Sequence, residues 1–107
     1  MSDPILDQIK RLISGNKIAL FMKGTPDAPL CGFSAAVVEV LKKHNAPFAA
    51  MDVLPDPQIR QVLSSYSNWP TIPQVFIAGK FIGGCDIVRE MDTKGELKSL
   101  IDAALNS

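Results

Sequence analysis

Cysteine is almost absent from this 107-residue chain: Cys31 and Cys85 are the two, and His44 is the one histidine. The cysteines are far apart and form no C-x-x-C pair. One chain therefore cannot build a four-ligand zinc or iron–sulfur site from Cys and His alone. Two cysteines are also too few for a secreted disulfide scaffold. Charge of one sign is missing too. Lys plus Arg number 11 and Asp plus Glu number 11, a formal net charge of zero. That excludes the basic stripe of a nucleic-acid binder. No apolar run reaches the ~18 residues that span a bilayer. Met1-Ser2-Asp3-Pro4 lacks a signal-peptide pattern. The expectation is a cytoplasmic protein, or the processed form of an organellar one, with no nucleic-acid or membrane partner. Chemistry here rests on a single thiol, helped by a cofactor or a second chain.

What is present is enough apolar residue for a core. The chain is 47% apolar and 21% charged, which excludes disorder. Its length fits one domain over residues 1–107. There is no repeat, low-complexity tract or linker.

Asp3-Pro4 reads as an N-cap followed by proline at the first helical position. Ile5, Ile9, Leu12 and Ile13 continue at helical spacing until Gly15. Ile18 to Met22 is an apolar run typical of a strand buried on both faces. Lys23 to Leu30 reads as a loop, broken by Gly24, Pro26 and Pro29. A helix is predicted from Gly32 to about Lys43, and a strand from Phe48 to Val53. Asp56-Pro57 repeats the cap signal for a helix with Ile59, Val62, Leu63 and Tyr66 on its apolar face. Trp69 to Pro73 must be extended, because each proline excludes helix at its predecessor. Gln74 to Ile77 and Lys80 to Ile82 predict a hairpin through Ala78-Gly79. Asp86 is expected to cap a short helix from Ile87 to Met91, and Thr93 with Glu96 to form a capping box for the last one. The order α-β-α-β-α-β-β-α-α predicts a mixed α/β sheet, parallel where helices cross over and antiparallel at the hairpin. A thioredoxin-like layout with helices on both faces buries every apolar stripe.

Cys31 is the strongest candidate for chemistry. It sits between the Gly/Pro loop and a helix start, where free N–H groups and the macrodipole favour a thiolate. Lys23 is placed to add a positive charge. The competing reading is an inert buried cysteine; the loop-to-helix position favours reactivity. Ser34 stands where a dithiol oxidoreductase carries its resolving cysteine, so a two-thiol cycle at this site is disfavoured. The Ile72–Pro73 dipeptide alone reads as an ordinary trans bond at a strand start. Gly83-Gly84-Cys85-Asp86 fits either an anion site at a helix start, with Asp86 for an ammonium, or a plain hairpin exit. Arg60 in isolation reads as a solvated arginine, although it suits a carboxylate clamp. His44 reads as a surface residue at a helix C-terminus, and Trp69 and Tyr66 as packing residues.

Together these residues resemble the monothiol glutaredoxins of the Cys-Gly-Phe-Ser class. The resemblance is carried by Lys23-Gly24-Thr25-Pro26, Cys31-Gly32-Phe33-Ser34, Trp69-Pro70-Thr71-Ile72-Pro73-Gln74-Val75 and Gly83-Gly84-Cys85-Asp86, in that order. It implies a thioredoxin fold with a four-stranded mixed sheet and a cis Ile72–Pro73 bond. It also implies a glutathione site formed by Lys23, Arg60, Thr71, Ile72, Pro73, Gly84, Cys85 and Asp86. Lys23 and Arg60 would take the glycine carboxylate, the Ile72 backbone the cysteine, and the Cys85-Asp86 segment the γ-glutamyl end. It further implies a [2Fe–2S] cluster bridging a homodimer, held by Cys31 from each chain and two glutathiones. Cluster scaffolds, apo iron–sulfur proteins and BolA-like proteins are the implied partners.

The seven residues from Gly24 to Leu30 form a longer loop than the dithiol relatives carry. It is expected to turn the glutathione sulfur away from Cys31, favouring cluster binding over disulfide chemistry. The competing readings are a glutathione-dependent reductase working through Cys31 alone, and a regulator using a Cys31–Cys85 disulfide or a cluster that reports iron status.

Overall fold

The computed structural model describes residues 3–107. Helix α1 runs Pro4–Gly15, and the Asp3 carboxylate accepts the N–H groups of Ile5 and Leu6. This is the local cap that the Asp-Pro pair predicts. β1, Ile18–Met22, is buried along its whole length. Ile18, Leu20 and Met22 join one apolar cluster, while Ala19 and Phe21 join the other. The unbroken apolar run is thus two alternating faces, each covered.

The expected loop after β1 contains a short ladder, β2 (Gly24–Thr25) against β3 (Ala28–Pro29). α2 follows at Gly32–Lys43, then β4 at Ala49–Asp52, one residue shorter at each end than predicted. α3, Pro57–Ser67, is capped by the Asp56 carboxylate, which accepts the Gln58 N–H. β5 (Gln74–Ile77) and β6 (Lys80–Gly83) form the hairpin. Its turn residues Ala78 and Gly79 both have positive φ, 53° and 80°, as a two-residue turn matched to strand twist requires. α4 (Cys85–Lys94) and α5 (Glu96–Leu105) complete the chain.

The main sheet has the order β4-β1-β5-β6. β1 lies parallel to β4 and antiparallel to β5, which is antiparallel to β6. α2, α4 and α5 bury Val37, Leu41, Val88, Leu97 and Ile101 against one face. α1 and α3 bury Ile9, Ile13 and Leu63 against the other. This is the thioredoxin-like architecture the element order predicts.

Three local expectations are corrected. α4 begins at Cys85 with Gly84 as its N-cap, and Asp86 lies inside the first turn without capping it. Gly83 has φ +157°, and a Cβ there would lie 2.8 Å from Ile87 Cβ, so the hairpin runs directly into the helix. The Thr93–Glu96 capping box does not form. Thr93 is still helical and its hydroxyl donates to Arg89 O, while Gly95, with φ 79°, ends α4 and starts α5. His44 is the C-cap of α2, but it is not a surface residue. It is largely buried against Asp92 of α4, with Nε2 2.6 Å from Asp92 Oδ1, and Lys43 binds the same carboxylate.

Candidate functional site

β1 and β4 are parallel and end together at Met22 and Asp52, and ligand sites in α/β sheets lie beyond such strand ends. Cys31 sits there as the N-cap of α2, with extended backbone and no acidic residue in the helix's first turn. Nothing local neutralises the positive end of the helix dipole, so a thiolate is favoured. The Cys31 thiol titrates below its ordinary value. The main cause is the nearby Ser34 backbone N–H. Partial burial opposes this. The Phe33 N–H, the charge of Lys23 and the Ser34 hydroxyl reinforce it. Both cysteines are free thiols, Cys31 partly buried and Cys85 buried.

Ser34 is completely buried. Its Oγ accepts the Lys23 N–H at 3.1 Å, and the same side chain is the smallest of the influences that lower the Cys31 thiol. Sequence reasoning valued Ser34 only for not being cysteine; its bonding role was missed. Gln74 was also missed. It is fully buried, and its Nε2 donates to Trp69 O at 3.1 Å and Thr71 O at 3.2 Å. The available signal was a polar side chain opening an otherwise apolar strand directly after Pro73.

The Ile72–Pro73 bond is cis, as the resemblance implies and against the trans reading of the dipeptide alone. Ile72 precedes the β1–β5 ladder, which begins at Gln74, so the ladder does not occupy its backbone groups. The segment from Trp69 to Pro73 separates two clefts. One, of about 370 Å³, lies between Phe33 of α2, Thr71 to Pro73, and Gly84 to Ile87 at the start of α4. The other, of about 530 Å³, is lined by Lys23, Leu54, Arg60 and Pro70 among others. Gly84 allows the close approach of these elements: a Cβ there would meet Pro73 O at 3.2 Å and Trp69 Nε1 at 3.3 Å.

The structure therefore brings the sequence-predicted residues onto two walls. Lys23 and Arg60 share one groove; Thr71, Ile72, Pro73, Gly84, Cys85 and Asp86 share the other cleft. Among the described residues, Lys23, Arg60 and Asp86 have no ion-pair partner. Two unpaired cations in one groove suit a carboxylate. A helix N-terminus beside an unpaired Asp suits a zwitterionic amino-acid end.

Residues 18–82 match the family model for glutaredoxin. A Synechocystis protein named as an uncharacterized monothiol glutaredoxin ycf64-like is 49% identical over 100 residues, 94% of each chain. This chain is a monothiol member of the glutaredoxin family. The chloroplastic monothiol glutaredoxin-S14 of Arabidopsis thaliana is 45% identical across the whole chain. The chain spans only part of several relatives, from 19% of a rice monothiol glutaredoxin-S11 to 62% of the Arabidopsis protein. Among solved structures, reduced poplar apo GrxS14 superposes with a TM-score of 0.85 at 46% identity, covering 94% of this chain and 93% of that one. A buckwheat glutaredoxin–glutathione complex superposes at 0.83 with 26% identity, covering 94% and 89%. No helix among the described residues of this glutaredoxin is long and apolar enough to cross a membrane.

Proposed function

We propose that this monothiol glutaredoxin binds glutathione across its two clefts and carries a [2Fe–2S] cluster between proteins. The observation that supports it most is Cys31: a thiol of lowered pKa, with a buried Ser34 where a resolving cysteine would stand, two residues before Phe33 of the first cleft. The tripeptide's glycine carboxylate faces Lys23 and Arg60, its cysteine backbone meets Ile72, and its γ-glutamyl end meets the Gly84–Asp86 turn. The residues fit such a ligand, because both walls present unpaired charge of the sign each end requires.

The cluster is cargo. Among the described residues no group of three or more His, Cys, Asp or Glu could hold a metal, and Cys85 is buried. Four ligands then require two chains, each giving Cys31, and two glutathione thiolates. Leu30, Phe33 and Leu54 are exposed large apolar side chains, at 69%, 61% and 48%. Leu30 and Phe33 flank Cys31, and Leu54 lines the adjoining groove. They suit contact with a second copy, or with a BolA-like protein in its place. A shared, partly exogenous ligand set is easily released, which suits delivery from a cluster scaffold to apo iron–sulfur proteins, in the cytoplasm or a processed organellar setting.

The test is anaerobic reconstitution with iron, sulfide and glutathione, followed by visible absorption, circular dichroism and size-exclusion chromatography. The expected result is a coloured dimer that requires both glutathione and Cys31. A colourless monomer, or cluster binding that survives Cys31→Ser, overturns the reading.

The partly buried, lowered-pKa thiol also favours a second activity. The Cys31 thiolate attacks the glutathione sulfur of a protein–glutathione disulfide and releases the protein thiol. A second glutathione then frees Cys31 as oxidised glutathione leaves. A coupled reductase assay showing turnover like that of a dithiol glutaredoxin would make this the principal function.

A further inference from the structure

Asp52 is an acidic residue beside a groove whose other charges are Lys23 and Arg60. It ends β4, opposite Met22 at the end of β1. Its Oδ1 accepts two backbone N–H groups, Gly24 at 3.0 Å and Leu54 at 2.9 Å. Among the described residues it has no ion-pair partner. Attraction of an anionic ligand gives no reason for a carboxylate here, since its charge repels one.

Geometry gives the reason. The backbone around Lys23 is held on three sides. The Lys23 N–H donates to Ser34 Oγ, its carbonyl accepts the Leu30 N–H at 2.9 Å, and the next N–H, of Gly24, donates to Asp52. The second bond of Asp52 fixes Leu54, which lines the same groove as Lys23 and Arg60. One oxygen thus ties the turn that carries Lys23 and the Leu54 lining of the same groove to a single point on the sheet.

We propose that Asp52 is a positioning residue, whose Oδ1 sets the Lys23–Gly24 turn and the Leu54 wall so that Lys23 and Arg60 converge on the ligand carboxylate. This rests on the glutathione reading above and adds to it the device that shapes the carboxylate end. The role needs an acceptor oxygen at one place and not a negative charge. Charge alone predicts that any neutral substitution strengthens binding; positioning predicts opposite results for Asn and Ala.

The experiment is isothermal titration calorimetry of S-methylglutathione with the full chain and its Asp52→Asn, Asp52→Ala and Asp52→Glu variants at neutral pH. Asp52→Asn keeps the acceptor and removes the repulsion, so it binds at least as tightly as the parent. Asp52→Ala loses both bonds and binds about tenfold more weakly. Asp52→Glu keeps the charge but displaces the oxygen, and binds several-fold more weakly. Ala or Glu binding like the parent, or Asn as weak as Ala, overturns the proposal. Should the parent itself fail to bind S-methylglutathione, the glutathione reading falls, and the clamp is read from amide exchange. Gly24 and Leu54 are then protected in the parent and in Asp52→Asn; exchange as fast as in unstructured chain overturns the clamp, whether or not Asp52→Ala folds.

Discussion

The Ser34 hydroxyl accepts the Lys23 backbone N–H at 3.1 Å from a fully buried position. That bond joins the exit of β1 to the first turn of α2. The Ser34 side chain also helps to lower the Cys31 thiol, as the smallest of the causes that do so. Ser34 thus has a structural role between strand and helix.

Ser34→Ala should raise the Cys31 pKa slightly, because it removes a nearby hydroxyl that favours the charged form. The rate of alkylation by iodoacetamide follows the thiolate fraction. Its midpoint against pH should lie below the ordinary thiol value of 9.0 in the parent chain and move upward in the variant. An unmoved midpoint would mean that the backbone N–H groups of Ser34 and Phe33 and the charge of Lys23 carry the whole effect.

Lys23→Gln and Arg60→Gln should each weaken glutathione binding by about tenfold, the scale of one charge-assisted hydrogen bond near the surface. The loss should shrink as salt is raised. Because both cations face one groove, the double variant should lose less than the sum of the two single losses. Strict additivity in calorimetry would show that the two side chains serve separate groups.

Gly24→Ala should destabilise the fold by about 1–3 kcal/mol and weaken the ligand site with it. Gly24 has φ +89°, and a Cβ there would lie 2.6 Å from Ala28 O and 2.7 Å from Leu30 N. Those atoms are backbone and cannot move aside without breaking the β2–β3 turn. A chemical denaturation midpoint equal to that of the parent would refute the claim.

Asp92 gives the chain an acid-sensitive contact between α2 and α4. Its carboxyl titrates below its ordinary value of 3.8, first because Lys43 donates to it and then because His44 does. A carboxylate with a depressed folded pKa contributes stability that is complete above the ordinary value. The contribution is lost as pH falls through the lower, folded one. Asp92→Asn should therefore lower Tm at pH 7, by about 4–8 °C for a loss of ~1 kcal/mol. The difference between variant and parent should narrow below about pH 4. A gap that stays constant down to pH 2.5 would rule out the linkage.

Local chemistry made several features readable from the chain alone. Asp3-Pro4 and Asp56-Pro57 start helices because cap and proline act within one turn. Ile18–Met22 reads as a doubly covered strand because five apolar residues in a row suit no half-solvated element. Cys31 was legible as the reactive thiol because a loop-to-helix junction carries its own dipole and free N–H groups. The failures were also local in origin. Asp86 and the Thr93–Glu96 pair carry cap chemistry, but packing against Ile87 and the left-handed turn at Gly95 set the real helix boundaries.

The sequence by itself therefore determined the elements, their order, the single reactive thiol and the lack of a second one beside it. Only the tertiary structure decided the burial of Ser34 and Gln74 and the His44–Asp92 contact, and it gave the cis Ile72–Pro73 bond and the shared groove of Lys23 and Arg60, which the residues read one by one had not shown. Each of these depends on groups distant in sequence. Caps and periodicity act within a few residues, whereas a ligand groove exists only where separate strand ends and helix starts meet.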